Sequence, residues 1–517
     1  MASSTRPQAC PRCLTPFDAL LDATKPSRVP RDILDTNRPP TDLEIPRIQS
    51  TMVDKRAQKM RLVARIEAVQ LLLNELTADC ESLCEEIEAH KATLSPIRRM
   101  PPELLSLIFA CASQSTLYDR RDPAPWTASQ VSRRWRAVAL SQPSLWTSID
   151  LDFGWIKDGQ TRTTYRLEAH LKRSGNLPLD IDFGCRVQFH SSERELALLN
   201  VLTRHSARWE KIRINGSLSL SSALACIRGN LPLLRKLQVL FHPYGLADQP
   251  SVNLDVFGLA PNLREAYVNL EGNGQVAIVL PFSGLTRYAA HNTWNGHLRA
   301  LRSAHNLVDC ALQIDGPISI PPTTLVTLPH LLRLSLRDSN LLDCLDAPQL
   351  EELYCSSKSN HLSSLFHLRQ PPQLKRLVLF LPASVTDLCS VLRSVPTITD
   401  LGVSVSEKSV DALSNSLTLR NEPTDIALAL RWIIISTASP AIFVRHYDDH
   451  ILANMVASRW RSGQLRSITV PETWMRSAHT QWEILKQDGL ALTFDLGDGD
   501  LSLIDMIPRH LRFNDSN

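Results

Sequence analysis

The chain has 517 residues, 43% of them hydrophobic and 21% charged, with a formal net charge of +3. That length exceeds what one core usually holds and the composition is that of a folded globular protein, so more than one domain is expected. The charge balance, with no basic block carrying interleaved aromatics, excludes nucleic-acid binding as the main task.

Residues 1 to 50 are rich in Pro, Arg, Asp, Ser and Thr and show little periodicity, which predicts a disordered tail. Met1 to Cys13 has no apolar core and does not read as a secretory signal. The most apolar window, Ile426 to Val444, is broken by Arg431 and by polar residues, short of the about 20 apolar residues of a membrane span. The expected location is cytoplasmic or nuclear, with no membrane partner and with the eleven cysteines as reduced thiols. Cys10-Pro11-Arg12-Cys13 is a lone C-x-x-C, and a structural zinc site needs four ligands. Cys80 and Cys84 are the one other pair at ligand-like spacing, so two tail thiols are the simpler expectation.

Residues 51 to 95 change character. Leu62, Ile66, Val69, Leu73, Leu76, Cys80, Leu83, Ile87, His90 and Leu94 alternate spacings of four and three without a break. This is the seam of a coiled coil. Ile66, Leu73, Cys80, Ile87 and Leu94 share one core position; Leu62, Val69, Leu76, Leu83 and His90 share the other. A helix over Asp54 to Thr93 is expected. Two readings stand for its apolar stripe: a homodimer through this N-terminal helix, or one helix folded onto the neighbouring domain.

Residues 96 to 146 carry the densest signal. Pro101-Pro102 opens a helix where missing N–H groups cost nothing. Leu104, Leu105, Ile108 and Phe109 form its apolar face. A second helix, near Ser129 to Leu140, repeats the pattern with Val131, Trp135 and Val138, and Leu145-Trp146 follows. So small a module cannot bury so many large side chains, which implies a partner. Met100, Pro101, Glu103, Leu104, Leu105, Ile108, Phe109, Val131, Trp135, Leu145 and Trp146 together resemble an F-box. The resemblance implies docking to the adaptor subunit of an SCF ubiquitin ligase, and through it to a cullin, by Pro101, Leu104, Leu105, Ile108, Phe109, Val131 and Trp135. Gln114 to Thr127 departs from the family pattern: it is longer and more polar, and the expected consequence is a missing or displaced middle helix.

Over 147 to 420 a degenerate repeat appears, clearest from about 207: an apolar anchor, then apolar residues three and five positions on. The anchors are Leu234, Leu263, Leu285, Leu307, Leu331, Leu350, Leu374 and Ile398, spaced 29, 22, 22, 24, 19, 24 and 24 residues apart. This stretch resembles an irregular leucine-rich-repeat solenoid, which implies a parallel sheet. The residues two past each anchor are Lys236, Glu265, Arg287, Asp309, Arg333, Glu352, Arg376 and Asp400. All are charged and the sign alternates at every step. Parallel strands stacked in sequence order at about 4.8 Å would place each charge between two opposite ones. The alternation stops at Lys211, which would lie beside Lys236. Residues four and six past each anchor point to the same side. They include Leu240, Tyr267, Asn269, His291, Gln313, Arg337, Tyr354 and Phe380. Of these, Tyr267, His291, Arg337, Tyr354 and Phe380 are the candidate contacts for a target protein.

Residues 421 to 517 read as a C-terminal capping region: a helix over Asp449 to Arg461, another over Trp474 to Lys486, and a strand over Leu490 to Leu496. A weak repeat echo, Leu465-Ile468-Val470, lies within it, and another, Trp146-Ile149-Leu151, lies far upstream. No phosphate-binding loop, nucleophile elbow or zinc-protease motif occurs. Asp448-Asp449-His450 opens a predicted helix, where Asp is a natural cap. The order of seam helix, F-box and degenerate repeats looks like the large F-box families of mushroom-forming fungi. The fold class expected is α/β. The function expected is a non-enzymatic substrate-recognition subunit of a ubiquitin ligase, without cofactor or metal, holding the adaptor at one end and an unidentified target on the repeats. The alternative is a coiled-coil and repeat scaffold not engaged in ubiquitination.

Overall fold

The computed structural model describes residues 38–114, 124–152, 160–184, 193–242, 252–270, 276–315, 325–337, 344–356, 373–380, 384–437, 448–471 and 478–495, with isolated positions at 33, 35, 342 and 508. Cys10 and Cys13 lie outside them. The chain divides into two units, Met1–Pro101 and Pro102–Asn517.

The first unit is dominated by helix α1, Glu44–Leu94, none of whose residues is buried. It begins ten residues before the expected start and takes up the end of the expected tail. The reason is local. Thr41-x-x-Glu44 is a capping pattern, and the Glu44 carboxylate accepts the Thr41 amide at 2.7 Å and pairs with Arg38 at 3.0 Å. The Arg38 hydrogen bond, with that amide, pulls the Glu44 carboxyl down to about 2. Pro46 falls in the first turn, where it costs no hydrogen bond. At the other end Ser95 is extended (φ −54°, ψ 129°), as a residue before proline prefers, and the helix stops.

The second unit opens with three short helices, α2 (Pro102–Gln114), α3 (Ala124–Val131) and α4 (Arg133–Leu140), then a 3-10 turn, Pro143–Trp146. The middle helix is present rather than missing, and the single helix expected over Ser129 to Leu140 is two. Ser132 makes the break: it is extended, and its hydroxyl accepts the Trp135 amide at 3.1 Å, capping α4.

From Ser148 onward the chain lays down a parallel sheet of fourteen strands among the described residues, in sequence order: β1 (Ser148–Asp152), β2 (Leu179–Gly184), β3 (Trp209–Ser217), β4 (Lys236–His242), β6 (Glu265–Asn269), β8 (Arg287–Thr293), β9 (Asp309–Asp315), β11 (Arg333–Leu336), β13 (Glu352–Cys355), β14 (Arg376–Leu379), β15 (Asp400–Val405), β16 (Trp432–Thr437), β17 (Ser467–Pro471) and β18 (Ala491–Asp495). Two minor parallel pairs, β5 (Val252–Leu254) with β7 (Val276–Ile278) and β10 (Val326–Thr327) with β12 (Leu345–Asp346), link the shorter repeats. Whole helices lie between other strands, Trp294–Ser303 and Val385–Ser394 in the middle of the array among them, and the first and last repeats are longer and also carry helices. They include α5 (Gln160–Arg173), α6 (Glu193–Thr203) and, toward the end, Asp449–Arg461 and His479–Gln487. One apolar core runs beneath the sheet from Ile149 to Leu490, and the anchor leucines are fully buried in it.

The expected division at residue 420 therefore does not hold. β16, β17 and β18 continue the same ladder, so residues 421 to 495 are further repeats rather than a separate cap. Arg459 ties them to the preceding units. Its guanidinium is buried and donates to the carbonyls of Leu417, Ala427 and Ile426 at 2.7, 2.8 and 2.9 Å, and burial pulls its pKa down to about 10.

The alternating charges are direct register partners from Lys236 to Asp400. Glu265 bridges Lys236 and Arg287 at 3.6 and 2.9 Å, Asp309 bridges Arg287 and Arg333 at 2.9 and 2.5 Å, and Arg376 reaches Glu352 and Asp400 at 3.8 and 2.8 Å. Lys211 lies beside Lys236 and turns to Asp180 at 3.2 Å instead. A one-residue slip would break every pair and invert every strand, so the ladder fixes register more than it adds stability. Asp309 is buried between two arginines, whereas Asp400 faces one. Asp309→Asn should cost about 1–3 kcal/mol, a figure held down by the half-exposed arginines. Asp400→Asn should cost clearly less. Urea midpoints decide this, and equal losses would contradict the ladder.

Candidate functional site

In the short-helix module, burial sorts the sequence-predicted contacts into two groups. Leu105 (0% exposed) and Phe109 are inside, with Ala128, Val138, Ala139, Leu145 and Trp146. Phe109 packs against the half-buried Trp135 with ring centroids 5.0 Å apart and planes tilted by 54°. Leu105 and Phe109 are thus the module's own core and do not face a partner, which corrects the expected contact set. Helical spacing placed them on one apolar stripe with Leu104 and Ile108. The stripe is wide, however, and its middle is taken by α3 and α4.

The other group is at the surface. Leu104 (48%), Leu107, Ile108 (42%) and Val131 (59%) are exposed, as are Leu140 and Pro101. Leu107 and Leu140 were not singled out in the sequence, although Leu107 lies three residues from Leu104, one turn along α2. Five exposed aliphatic side chains thus lie on the three short helices, and α4 also carries the exposed Arg133, Arg134 and Arg136.

The module is joined to the first repeat by an aromatic cluster. Trp146 is fully buried; its Nε1–H donates to the Ala139 carbonyl at 2.8 Å, and its ring meets Trp126 edge-on at 5.3 Å. The Arg173 guanidinium, from α5, lies over both indoles at 4.3 and 4.5 Å. Trp126 donates to His170 Nδ1 at 3.3 Å. Burial, with Arg173 and Arg166 close by, pulls the His170 imidazole down to about 4. The long connector that departs from the family pattern thus supplies Trp126, the residue that reaches the repeats. Sequence reasoning had no means of finding its partners on α5, His170 and Arg173, which lie more than forty residues on.

His297, in the helix Trp294–Ser303, is likewise buried and pulled down to about 4, and its Nε2 lies 2.9 Å from the Gln313 carbonyl. Both imidazoles are neutral in the folded chain, while the unfolded chain protonates them near pH 6.5. The folded state therefore holds fewer protons, and stability falls as pH drops from about 6.5 to about 4. By pH 5 each histidine should have removed about 2 kcal/mol. Urea midpoints at pH 7 and pH 5 test this: the difference should shrink in His170→Phe, and an unchanged difference would contradict the burial account.

The candidate target-binding face differs from expectation. Tyr354 is fully buried and His291 and Leu240 nearly so, Tyr267 and Phe380 are half-buried, and Arg337 is exposed. The outer face of the sheet has its own apolar cluster: Ala289, Ala311, Tyr354 and Val378, with Tyr267, Phe380 and Ile434 against it. Alanines at 289 and 311 leave room between the two tyrosine rows, and the Tyr354 hydroxyl donates to Glu352 at 2.5 Å. Tyr354 and His291 are corrected from contacts to buried supports. The signal was legible: Leu377-Val378-Leu379 and Ile433-Ile434-Ile435 are continuous apolar runs, the mark of strands covered on both faces.

Elsewhere, an open hollow of about 590 Å3 is lined by residues including Arg264, Asn306, Val308 and Leu332. Two of its polar side chains are engaged by backbone: Arg264 by the carbonyls of Pro261, Leu263 and Gly284, and Asn306 by the carbonyl of Ser283. Asp448 caps its helix, accepting the His450 amide at 2.9 Å. No helix among the described residues is long and apolar enough to cross a membrane.

Residues 97–152 match the family model described as F-box-like. The match takes in the three helices, the 3-10 turn and strand β1. Among solved structures, the chain is similar to the crystal structure of a TLR13–ssRNA13 complex, at 13% identity and a TM-score of 0.32, covering 56% of this chain and 42% of that one. No match was found among curated proteins.

Proposed function

We propose that this chain is the substrate-recognition subunit of an SCF-type ubiquitin ligase. The observation that carries the reading is the exposed patch of Leu104, Leu107, Ile108 and Val131 on an F-box-like domain. Exposed aliphatic side chains on short helices, one of which also carries three exposed arginines, suit an apolar helical partner that bears acidic residues. Pro101 precedes α2 and is exposed, and it belongs to the same proposed contact with Leu104, Ile108, Val131 and Trp135.

The F-box-like domain and the repeats belong to one compact unit. Adaptor and target would then be held at a fixed separation, and a ubiquitin-charged enzyme carried by the cullin would gain effective concentration at the target. This chain needs no catalytic group for that task. On the target side, Arg337, Tyr267 and Phe380 retain exposed surface and are the proposed contacts.

Purification of the tagged full chain from its own cells, followed by detection of an SCF adaptor and a cullin, tests the reading. Both should be recovered. Their absence, with the chain still folded, would favour the scaffold alternative. Changing Tyr267, Arg337 and Phe380 to Ala should leave adaptor recovery intact and remove the target.

A further inference from the structure

The exposed seam of α1 is matched to itself. We propose that two copies of this chain pair through α1 as a parallel, in-register, two-stranded coiled coil over Leu62 to Leu94. The inference does not depend on the adaptor.

The seam's continuity and exposure, its area, its core composition and its flanking charges support a second copy as the occupant. The seam is continuous on a single unbroken helix, and its apolar members are each more than half exposed. Fully covering a Val, Leu or Ile removes roughly 60–120 Å2 from water. The eight such residues of the seam, taken over two helices, therefore offer on the order of 1,000–1,900 Å2, close to the roughly 1,200–2,000 Å2 of stable interfaces.

The core composition leans the same way. Ile66 and Ile87 share the first core position with Leu73, Cys80 and Leu94, and Leu62, Leu76 and Leu83 share the second with Val69 and His90. β-branched residues at the first with leucine at the second favour parallel dimers. The flanking charges agree. In a parallel pair each residue preceding the first core position faces the partner's residue five places on. Glu86 then faces Lys91, which in the single helix reaches back to Glu88 at 2.7 Å. No such pair along α1 brings two like charges together. Lys55 and Lys59 occupy the two preceding core positions, which sets the N-terminal limit of the seam at Leu62.

Cys80 makes the arrangement measurable. It occupies the first core position, so in a parallel in-register pair the two Cys80 thiols face each other across the seam, whereas Cys84 flanks it. The pairing would present two F-box-like domains and two repeat arrays in one assembly, so a target with two copies of its recognition site would gain avidity.

Light scattering of the full chain at tens of micromolar should give twice the chain mass. Leu76→Glu keeps a good helix former but puts charge in the seam. It should return the single-chain mass, with association weakened about a hundredfold or more. Leu71→Glu, at a residue more exposed than Leu76 and off the seam, should leave the dimer intact. Mild oxidation should give a covalent dimer that is lost in Cys80→Ser and kept in Cys84→Ser. A single-chain mass for the unaltered protein would overturn the proposal, as would a dimer that survives Leu76→Glu or fails to cross-link through Cys80.

Discussion

Ile108→Asp combined with Val131→Asp should abolish adaptor binding while leaving the fold untouched. Both side chains are exposed, so in the free chain each carboxylate is solvated and costs little. In the complex each becomes an uncompensated charge in an apolar contact, at about 3–5 kcal/mol. Together they should weaken the adaptor by more than about a thousandfold. Leu105→Ala separates this from a folding effect. Leu105 is fully buried in the module, so its truncation should cost about 2–5 kcal/mol of stability. Adaptor affinity should then fall only as far as the folded fraction does. Pull-down titrations beside thermal melts distinguish the two. If Leu105→Ala, at a temperature where it is folded, lost the adaptor as completely as the double aspartate variant, the contact would lie on the other side of α2.

Trp146→Ala should release the F-box-like domain from the repeats without melting the sheet. The indole is fully buried, held by Ala139 and sandwiched with Trp126 under Arg173. Removing a buried tryptophan costs about 3–5 kcal/mol, and the cation over its ring adds up to about 2. A repeat array transmits such a loss mainly to its neighbours. Hydrogen exchange should therefore accelerate across residues 102–146 and α5 and stay unchanged in β8 to β15. Uniform acceleration through the sheet would show that the array melts as one cooperative block.

What the sequence disclosed follows from what repeats. Strand register was legible because each anchor buries an apolar residue and each register position carries a charge, so two independent patterns gave the same alignment. The C-terminal strands were not recognised as further repeats because whole helices such as Asp449–Arg461 stretch those units beyond the regular spacing. The F-box-like surface was half legible. Apolar periodicity located α2, but Leu105 and Ile108 have the same hydrophobicity and only α3 and α4 decide which is covered. Tyr354 was misplaced for the reverse reason. Strand alternation gave its direction correctly, and the second apolar layer that Ala289, Ala311 and Val378 build on that side shows only in unbroken apolar runs such as Leu353-Tyr354-Cys355 and Leu377-Val378-Leu379. The joint formed by Trp126, His170 and Arg173 was not legible, because long-range contacts leave no local pattern.

Recognition and ubiquitin transfer are, on this account, separable functions of one chain. The direct test is to compare the proteins captured by the unaltered chain and by the Ile108→Asp/Val131→Asp variant, and to measure ubiquitin on each. The account predicts one set of proteins captured equally by both, carrying ubiquitin when the unaltered chain holds them and none when the variant does. Equal ubiquitin on that set with both chains would contradict it.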